Sequence, residues 1–471
     1  MRISEKEPGK RFVFEGKTTI KGESIPYQTI SEETMIDGKD GNLAACIFSY
    51  TYLRTDAKNT KNRPVLFVYN GGPGSSSHLL HVGFFGTDRA KISKTGDSPV
   101  VPPYAVEENP HCILDLCDLV LIDPVETGFG KLFTPEAAGE FFGVEEDAMS
   151  LALFIEHWLS KYQRWDSPHF LCGESYGTLR SAVLADLLMG GVAVKRFTGI
   201  SLNGIIMMGS TFHVEESHGP LYVEPTVLKL PSYAAANHYH NKITETSLED
   251  FVEEAYQFSV GEYAHALLLG DYMTPAEKSA ATSKLSYFTG LSEDCLRQNG
   301  LKPDTRAFLS TVIRDRGLEA GGYDSRVTLP LSDQIGPRDS FDDPSMAKST
   351  PSYTALFHSH FKKKLQIGLD RAYITTNIAS NFSWNYKCGR TPAQSLAAAM
   401  RRNPNLHVMF ATGYFDLCTC AGYARYIISQ LGLDQARIYR REYEGGHMIY
   451  TNEKAAANLE RDIRTFIAQS I

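Results

Sequence analysis

At 471 residues, the chain is long enough to bury one large core or to split into two domains. Its 42% hydrophobic and 22% charged content is ordinary for a soluble globular protein, and no apolar run approaches the length of a membrane span. A net charge of −8, without a basic stripe of interleaved aromatics, argues against nucleic acid and anionic membrane as partners, while a homo-oligomer stays open.

The first residues, MRISEKEPGKRFVFEGKTTIKGE, are charged and hold no apolar segment of the kind a secretory signal needs. The chain as written therefore predicts a cytoplasmic protein, or a secreted or periplasmic one if a signal was removed. Short β-branched and aromatic runs in RFVFEGKTTIKGESIPYQTI and LAACIFSYTYL predict antiparallel strands. The pattern then changes. PVLFVYN (64–70) and LVLIDP (119–124) are continuous apolar runs closed by turn residues, as in strands buried on both faces of a parallel sheet. Residues 144–165 have helical periodicity with acids in the first turn. SPHFLC is the next strand, GTLRSAVLADLLMGG the next helix, and FTGISLNGIIMMGS a further strand and turn.

From 213 to 385 the alternation dissolves into helical pieces, such as SLEDFVEEAYQFSVGEYAHALLLG and TPAEKSAATSKLSYFTGL, and a polar loop, DQIGPRDSFDDPSMAKSTPS (333–352). Alternation returns with NLHVMFATGYFD (405–416), the helix CAGYARYIISQLG, the strand ARIYRREY and a helix after GGHMIYTNEK. The expectation is a doubly wound α/β architecture with a mostly parallel central sheet: residues 1–212 and 386–471 as two parts of one core, and 213–385 as a mostly helical cap inserted between them. Ligands in such sheets gather beyond the carboxyl ends of the strands.

Three chemical residues fall at such ends. In Gly173-Glu174-Ser175-Tyr176-Gly177 the flanking glycines permit the sharp strand-to-helix turn that lifts a nucleophilic serine above a sheet. A plain Gly-Ser turn would look the same in isolation. A serine needs a base and an orienting acid, and the hydrolase order is Ser, then Asp or Glu, then His. Asp416 ends an apolar strand, and His447 in YEGGHMIY is the one histidine after it. The plain alternatives are a helix N-cap for Asp416 and a backbone-bonded loop histidine for His447.

An oxyanion hole would take the N–H of Tyr176 and one from the glycine loop of VYNGGPGSSSHL, with Gly72 favoured because a carbonyl oxygen can approach its backbone. That loop lacks the lysine of a Walker phosphate loop and has no G-x-G-x-x-G. The eight cysteines show no C-x-x-C spacing, and the close pair Cys418 and Cys420 reads as free thiols near a helix start. The histidine pairs 238/240 and 358/360 lack matching acid or cysteine ligands, so neither a metal nor another cofactor is expected.

NGGPGSSS, GESYG, GYFDL and GGHM, in this order, resemble the serine carboxypeptidases of family S10, α/β-hydrolases that release C-terminal amino acids. LIDPVETGFG, LPSYAAANHYH and YDSR are similar to the bacterial branch. The resemblance implies Ser175 as nucleophile, His447 as general acid–base, Asp416 as its orienter, and Gly72 and Tyr176 as the oxyanion hole. It also implies that Asn70, Glu174 and the N–H of Gly71 bind the carboxylate of a peptide substrate with a free C-terminus. A helix-dipole role for Glu174 and a loop-pinning role for Asn70 stand beside this.

The chain departs from secreted members of the family in three places. Ser75 stands where they have a disulfide-bonded cysteine, Val68 stands in place of a tryptophan, and residues 78–87 hold none of the acids expected to pair with Glu174. His78 and His81 lie in that stretch as alternative neighbours of the carboxylate. Two other functions use the same residues: an esterase or acyltransferase with the same triad, and a non-catalytic peptide-binding protein.

Overall fold

The computed structural model describes residues 1–6, 8–91, 101–212, 223–331 and 343–471. Its strands follow the apolar runs: β1 (Arg11–Ile20), β2 (Glu23–Asp37), β3 (Leu43–Arg54), β4 (Val65–Tyr69), β5 (Asp118–Asp123), β6 (His169–Glu174), β7 (Gly204–Met208), β8 (His407–Gly413) and β9 (Ile438–Tyr443). They form a single sheet in the spatial order β2-β3-β5-β4-β6-β7-β8-β9, with β1 paired to β2. The β1–β2–β3 end is antiparallel, as its turn-rich sequence predicts. From β5 to β9 every neighbouring pair is parallel. Each residue of β4, β5, β6 and β7 is buried, which is why these strands read as unbroken apolar runs.

The helices cover both faces. On one side α1 (Val144–Lys161), α2 (Tyr176–Met189), α7 (Pro392–Arg402) and α8 (Ala421–Gln430) pack on alternate residues of β4 to β8, such as Val65, Phe67, Leu171, Ile205 and Val408. On the other side α9 (Glu453–Gln469) lays Leu459, Ile463, Phe466 and Ile467 against Phe170, Ile206 and Met409, the i, i+4, i+7, i+8 stripe of an amphipathic helix.

Between β7 and α7 lie α3 (Glu224–His240), α4 (Leu248–Phe258), α5 (Pro275–Thr289) and α6 (Pro344–Leu356). Residues between 227 and 320 share an apolar cluster built on Leu230, Tyr233, Phe251, Leu285 and Phe308, which Leu417, Cys420 and Tyr423 of the core join. Tyr353, Phe357, Phe361 and Tyr373 pack instead with the α9 face of the sheet. Residues 213–222, where the inserted segment is expected to begin, lie outside the described residues, as do 333–342 of the expected polar loop. The rest of that loop is a helix: Asp343 caps α6 by accepting from the N–H groups of Ser345 and Met346, and Pro344 occupies its first turn. Ser and Thr hide the helix in the sequence, because they favour caps and turns over helix interiors.

The crossover from β4 to β5 runs one way along the sheet and that from β6 to β7 the other. The sheet therefore has its switch point between the adjacent strands β4 and β6, and a crevice opens at their carboxyl ends.

Candidate active site

The register between β4 and β6 pairs Tyr69 with Gly173, so the next residues, Asn70 and Glu174, emerge side by side at the crevice. Ser175 follows with φ 59° and ψ −127°, a conformation that a non-glycine residue holds only under constraint. The constraint is visible. Ser175 N–H donates to the Met208 carbonyl at the end of β7 (2.9 Å), and the Ser175 carbonyl accepts from the N–H and hydroxyl of Thr178 in α2 (2.8 Å each). A Cβ on Gly173 would run into the Gly177 carbonyl, so the turn closes only with glycine there. The expected elbow is present.

The glycine loop lies directly on this elbow. A Cβ on Gly71 would sit 2.5 Å from the Tyr176 nitrogen and 2.6 Å from the Glu174 carbonyl oxygen. Among the described residues, neither the Gly72 nor the Tyr176 N–H donates to another protein group. Both therefore stay available beside Ser175, as an oxyanion hole requires.

Asp416 and His447 come from the loops after β8 and β9. His447 Nδ1 lies 2.8 Å from Asp416 Oδ2, with Asp416 fully buried and His447 4% exposed. Asp416 also accepts from the N–H groups of Cys418 and Thr419 at 2.8 Å, and from the Thr419 hydroxyl at 2.5 Å. Asp416 does not cap a helix, because α8 starts later with Cys420 at its N-cap. Burial opposes the charged form of His447, but the charge of Asp416 and its hydrogen bond outweigh burial, so the imidazole pKa stands above its ordinary value. Ser175 and His447 line the same cleft of about 90 Å³. No hydrogen bond joins them among those of the described residues, in keeping with the looser contacts of unliganded active sites.

That cleft is also lined by Asn70, Gly71, Gly72 and Glu174. Burial pushes the Glu174 carboxyl up to about 7, against the opposing pull of His447 and of hydrogen bonds from Tyr450 and Asn70. Asn70 Nδ2 donates to Glu174 Oε2, and the Leu80 N–H donates to Asn70 Oδ1 at 3.2 Å, which fixes the amide. His78 lines the cleft, and burial lowers its pKa to about 4. His81 points away, to the Tyr52 hydroxyl at 2.7 Å. Of the paired histidines, His238 meets the Thr246 carbonyl, His240 the Ser325 carbonyl and His360 the Asp88 carboxylate, while the His358 ring lies edge-on to Phe357 and Tyr373. No group of three or more metal-ligating side chains gathers among the described residues.

Arg180 gave no sequence signal, and YDSR and LPSYAAANHYH gave only a family resemblance without a role. Arg180, buried one turn along α2, donates to the Asn70 carbonyl (2.7 Å) and to Asp147 of α1 (2.6 Å), and it packs on the rings of Tyr69 and Tyr176. It pins the glycine loop from behind. The YDSR turn, residues 323–326, braces both acid and base loops. The Tyr323 carbonyl accepts from the His447 N–H (2.6 Å), Ser325 N–H donates to the Phe415 carbonyl (3.0 Å), and Arg326 donates to the Glu444 carbonyl (2.9 Å). His240, from LPSYAAANHYH, reaches the Ser325 carbonyl (2.6 Å). The two motifs are thus one support, linked in space rather than in sequence.

A family model described as serine carboxypeptidase matches residues 47–461. No curated protein matches the chain by sequence. Among solved structures, a prohormone-processing carboxypeptidase from Saccharomyces cerevisiae superposes with a TM-score of 0.56 at 14% identity, over 94% of this chain and 91% of that one. A carboxyl esterase from Bacillus coagulans matches with a TM-score of 0.39 at 14% identity, over 93% and 98% of the two chains. An epoxide hydrolase from Aspergillus niger matches with a TM-score of 0.39 at 12% identity, over 95% and 79%.

Proposed function

The chain belongs to the serine carboxypeptidase family and has its α/β-hydrolase fold, and from that premise we propose how its own residues carry out the removal of C-terminal amino acids. Ser175 attacks the carbonyl carbon of the last peptide bond while His447 takes its proton, and Asp416 steadies the imidazolium that forms. The N–H groups of Gly72 and Tyr176 receive the developing oxyanion. His447 then protonates the leaving amine, the terminal amino acid departs, and a water activated by His447 releases the shortened peptide from Ser175.

Asn70, Glu174 and the Gly71 N–H hold the terminal carboxylate of a peptide with a free C-terminus. The substrate brings a second carboxylate to face Glu174, so Glu174 serves as the neutral acid, donating a hydrogen bond to the substrate oxygen. The carrying observation is that one cleft is lined by Ser175, His447 and Gly72 together with Asn70 and Glu174. A general esterase would have no use for a buried acid and amide beside the nucleophile.

The test is mass spectrometry of one N-blocked peptide, as free acid and as C-terminal amide, incubated with wild type and with Ser175→Ala. Single-residue trimming of the free acid alone, lost in the variant, is expected. Equal cleavage of both peptides would overturn the carboxylate role of Asn70 and Glu174, and trimming by the variant would overturn the role of Ser175. A reducing compartment is the accompanying proposal, supported by all eight cysteines being free thiols. Because five of them are buried, alkylation after denaturing the native-source protein without reductant should label all eight; an unlabelled pair would count against it.

A further inference from the structure

Glu174 is held by one oxygen. Tyr450 donates to Oε2 at 3.2 Å and Asn70 Nδ2 donates to the same atom, while Oε1 is buried with no protein partner. Tyr450 is itself fully buried. Its ring stacks on Phe84 at 5.8 Å and lies so close to Gly83 that a Cβ there would come within 2.5 Å of it. Phe84 and Gly83 lie in the stretch where the sequence lacks an acid to pair with Glu174, and the phenol arrives in that space from the far end of the chain.

We propose that Tyr450 is a positioning residue of the carboxylate clamp: its phenol ties down Oε2 and leaves Oε1 as the oxygen that meets the substrate's terminal carboxylate. This rests on Asn70 and Glu174 being that clamp. A second carboxyl in place of Tyr450 could share a proton with Glu174; the Tyr450 phenol keeps its own proton and offers it to Oε2 as a hydrogen bond. Donation favours the ionised acid over the neutral one, so Tyr450 holds down the pH at which Glu174 loses its proton.

The other titratable groups around Glu174 are His447 and Asp416 from the loops after β9 and β8, Tyr353 of α6, Tyr323 of the YDSR turn and Cys172 on its own strand. Of these, His447 favours the ionised acid and Asp416 the neutral one. Neither is changed by removing the Tyr450 hydroxyl.

The experiment is kcat/KM against pH for a free-acid peptide and for an ester of the same peptide, with wild type, Tyr450→Phe, Glu174→Gln and the double variant. In Tyr450→Phe the alkaline limb for the free acid should move up by about half a pH unit to one unit, through KM rather than kcat, with no matching shift for the ester. In the Glu174→Gln background the same change should move no limb. An unmoved limb in Tyr450→Phe, or an equal shift with the ester, overturns the proposal. If Glu174→Gln leaves free-acid kinetics untouched, the clamp itself fails instead. Thermal melting checks that each variant folds, and Tyr450→Met provides a second donor-free replacement.

Discussion

Asp416 is an acid with all its bonding directions used. Two backbone N–H groups and the Thr419 hydroxyl hold the carboxylate while Oδ2 faces His447 Nδ1. In the proposed mechanism its part is to select the tautomer of His447 that leaves Nε2 free to accept a proton from Ser175. Replacing it by Asn keeps the shape but allows the amide to donate to Nδ1, which favours the wrong tautomer. Asp416→Asn should therefore lower kcat on the order of ten-thousand-fold with little change in KM, measured by steady-state hydrolysis of the free-acid peptide. A loss of ten-fold or less would mean that the Thr419 hydroxyl, 3.0 Å from Nδ1, and the backbone contact to Tyr323 suffice to orient His447.

The YDSR turn acts as an element. It lies between β7 and β8 in sequence but makes hydrogen bonds to the loops after β8 and β9, so it fixes the distance between Asp416 and His447. Arg326 is the fastener: it pairs with Asp324 at 2.6 Å, donates to the Glu444 carbonyl and packs on the Phe415 ring. Arg326→Met would leave the buried Asp324 without its partner and the two loops without their clasp. Misplacement of a base by about an ångström costs roughly a hundred-fold in rate, so a fall of ten- to a hundred-fold in kcat is expected while substrate binding is kept. Unchanged kcat in a stably folded variant would show that the loops hold themselves. The Arg180–Asp147 pair behind the glycine loop works the same way on the binding side. Removing one of two buried partners costs about 3–5 kcal/mol, so Arg180→Met should be destabilised on that scale in denaturant titrations.

At the scale of the molecule, buried titratable groups set the dependence of stability on pH. Burial lowers His78 to about 4 and His81 to about 3, below the ordinary histidine value. The unfolded chain then takes up protons near pH 6.5 that the folded chain refuses. Stability is lost as pH falls through that value, by up to about 1.4 kcal/mol per pH unit for each histidine. Asp123, which accepts from Ser77 and Tyr50 under the glycine loop, is pushed up to about 6 by burial. Its contribution has the opposite sign, present at acid pH and lost as pH rises through 6. Glu174, pushed up to about 7, acts with Asp123. Burial also lowers His111, His169 and His240, so the histidines outnumber the two carboxyls and the net is a loss of stability from pH 6.5 towards pH 4.5. Chemical denaturation across that range should show the loss, and His81→Gln should flatten its slope. A slope unaltered by that variant would mean that other groups govern acid unfolding.

The sheet, its helices and the placing of Ser175, Asp416 and His447 at the ends of its strands were legible in the sequence, because each rests on local chemistry. Buried parallel strands need unbroken apolar runs, a sharp elbow needs glycines on both sides of Ser175, and the acid and base must follow strands whose order the pattern reveals. The tertiary structure alone decided what supports them. Tyr450 meets Glu174 across 276 positions of chain, Arg180 meets Asn70 across 110, and the YDSR turn meets the His447 loop across 118. Such contacts leave no periodicity or spacing to read, since nothing local constrains a residue whose partner is supplied by another element. A missing acid in residues 78–87 could be seen as an absence, but only the packed fold brought a phenol into its space.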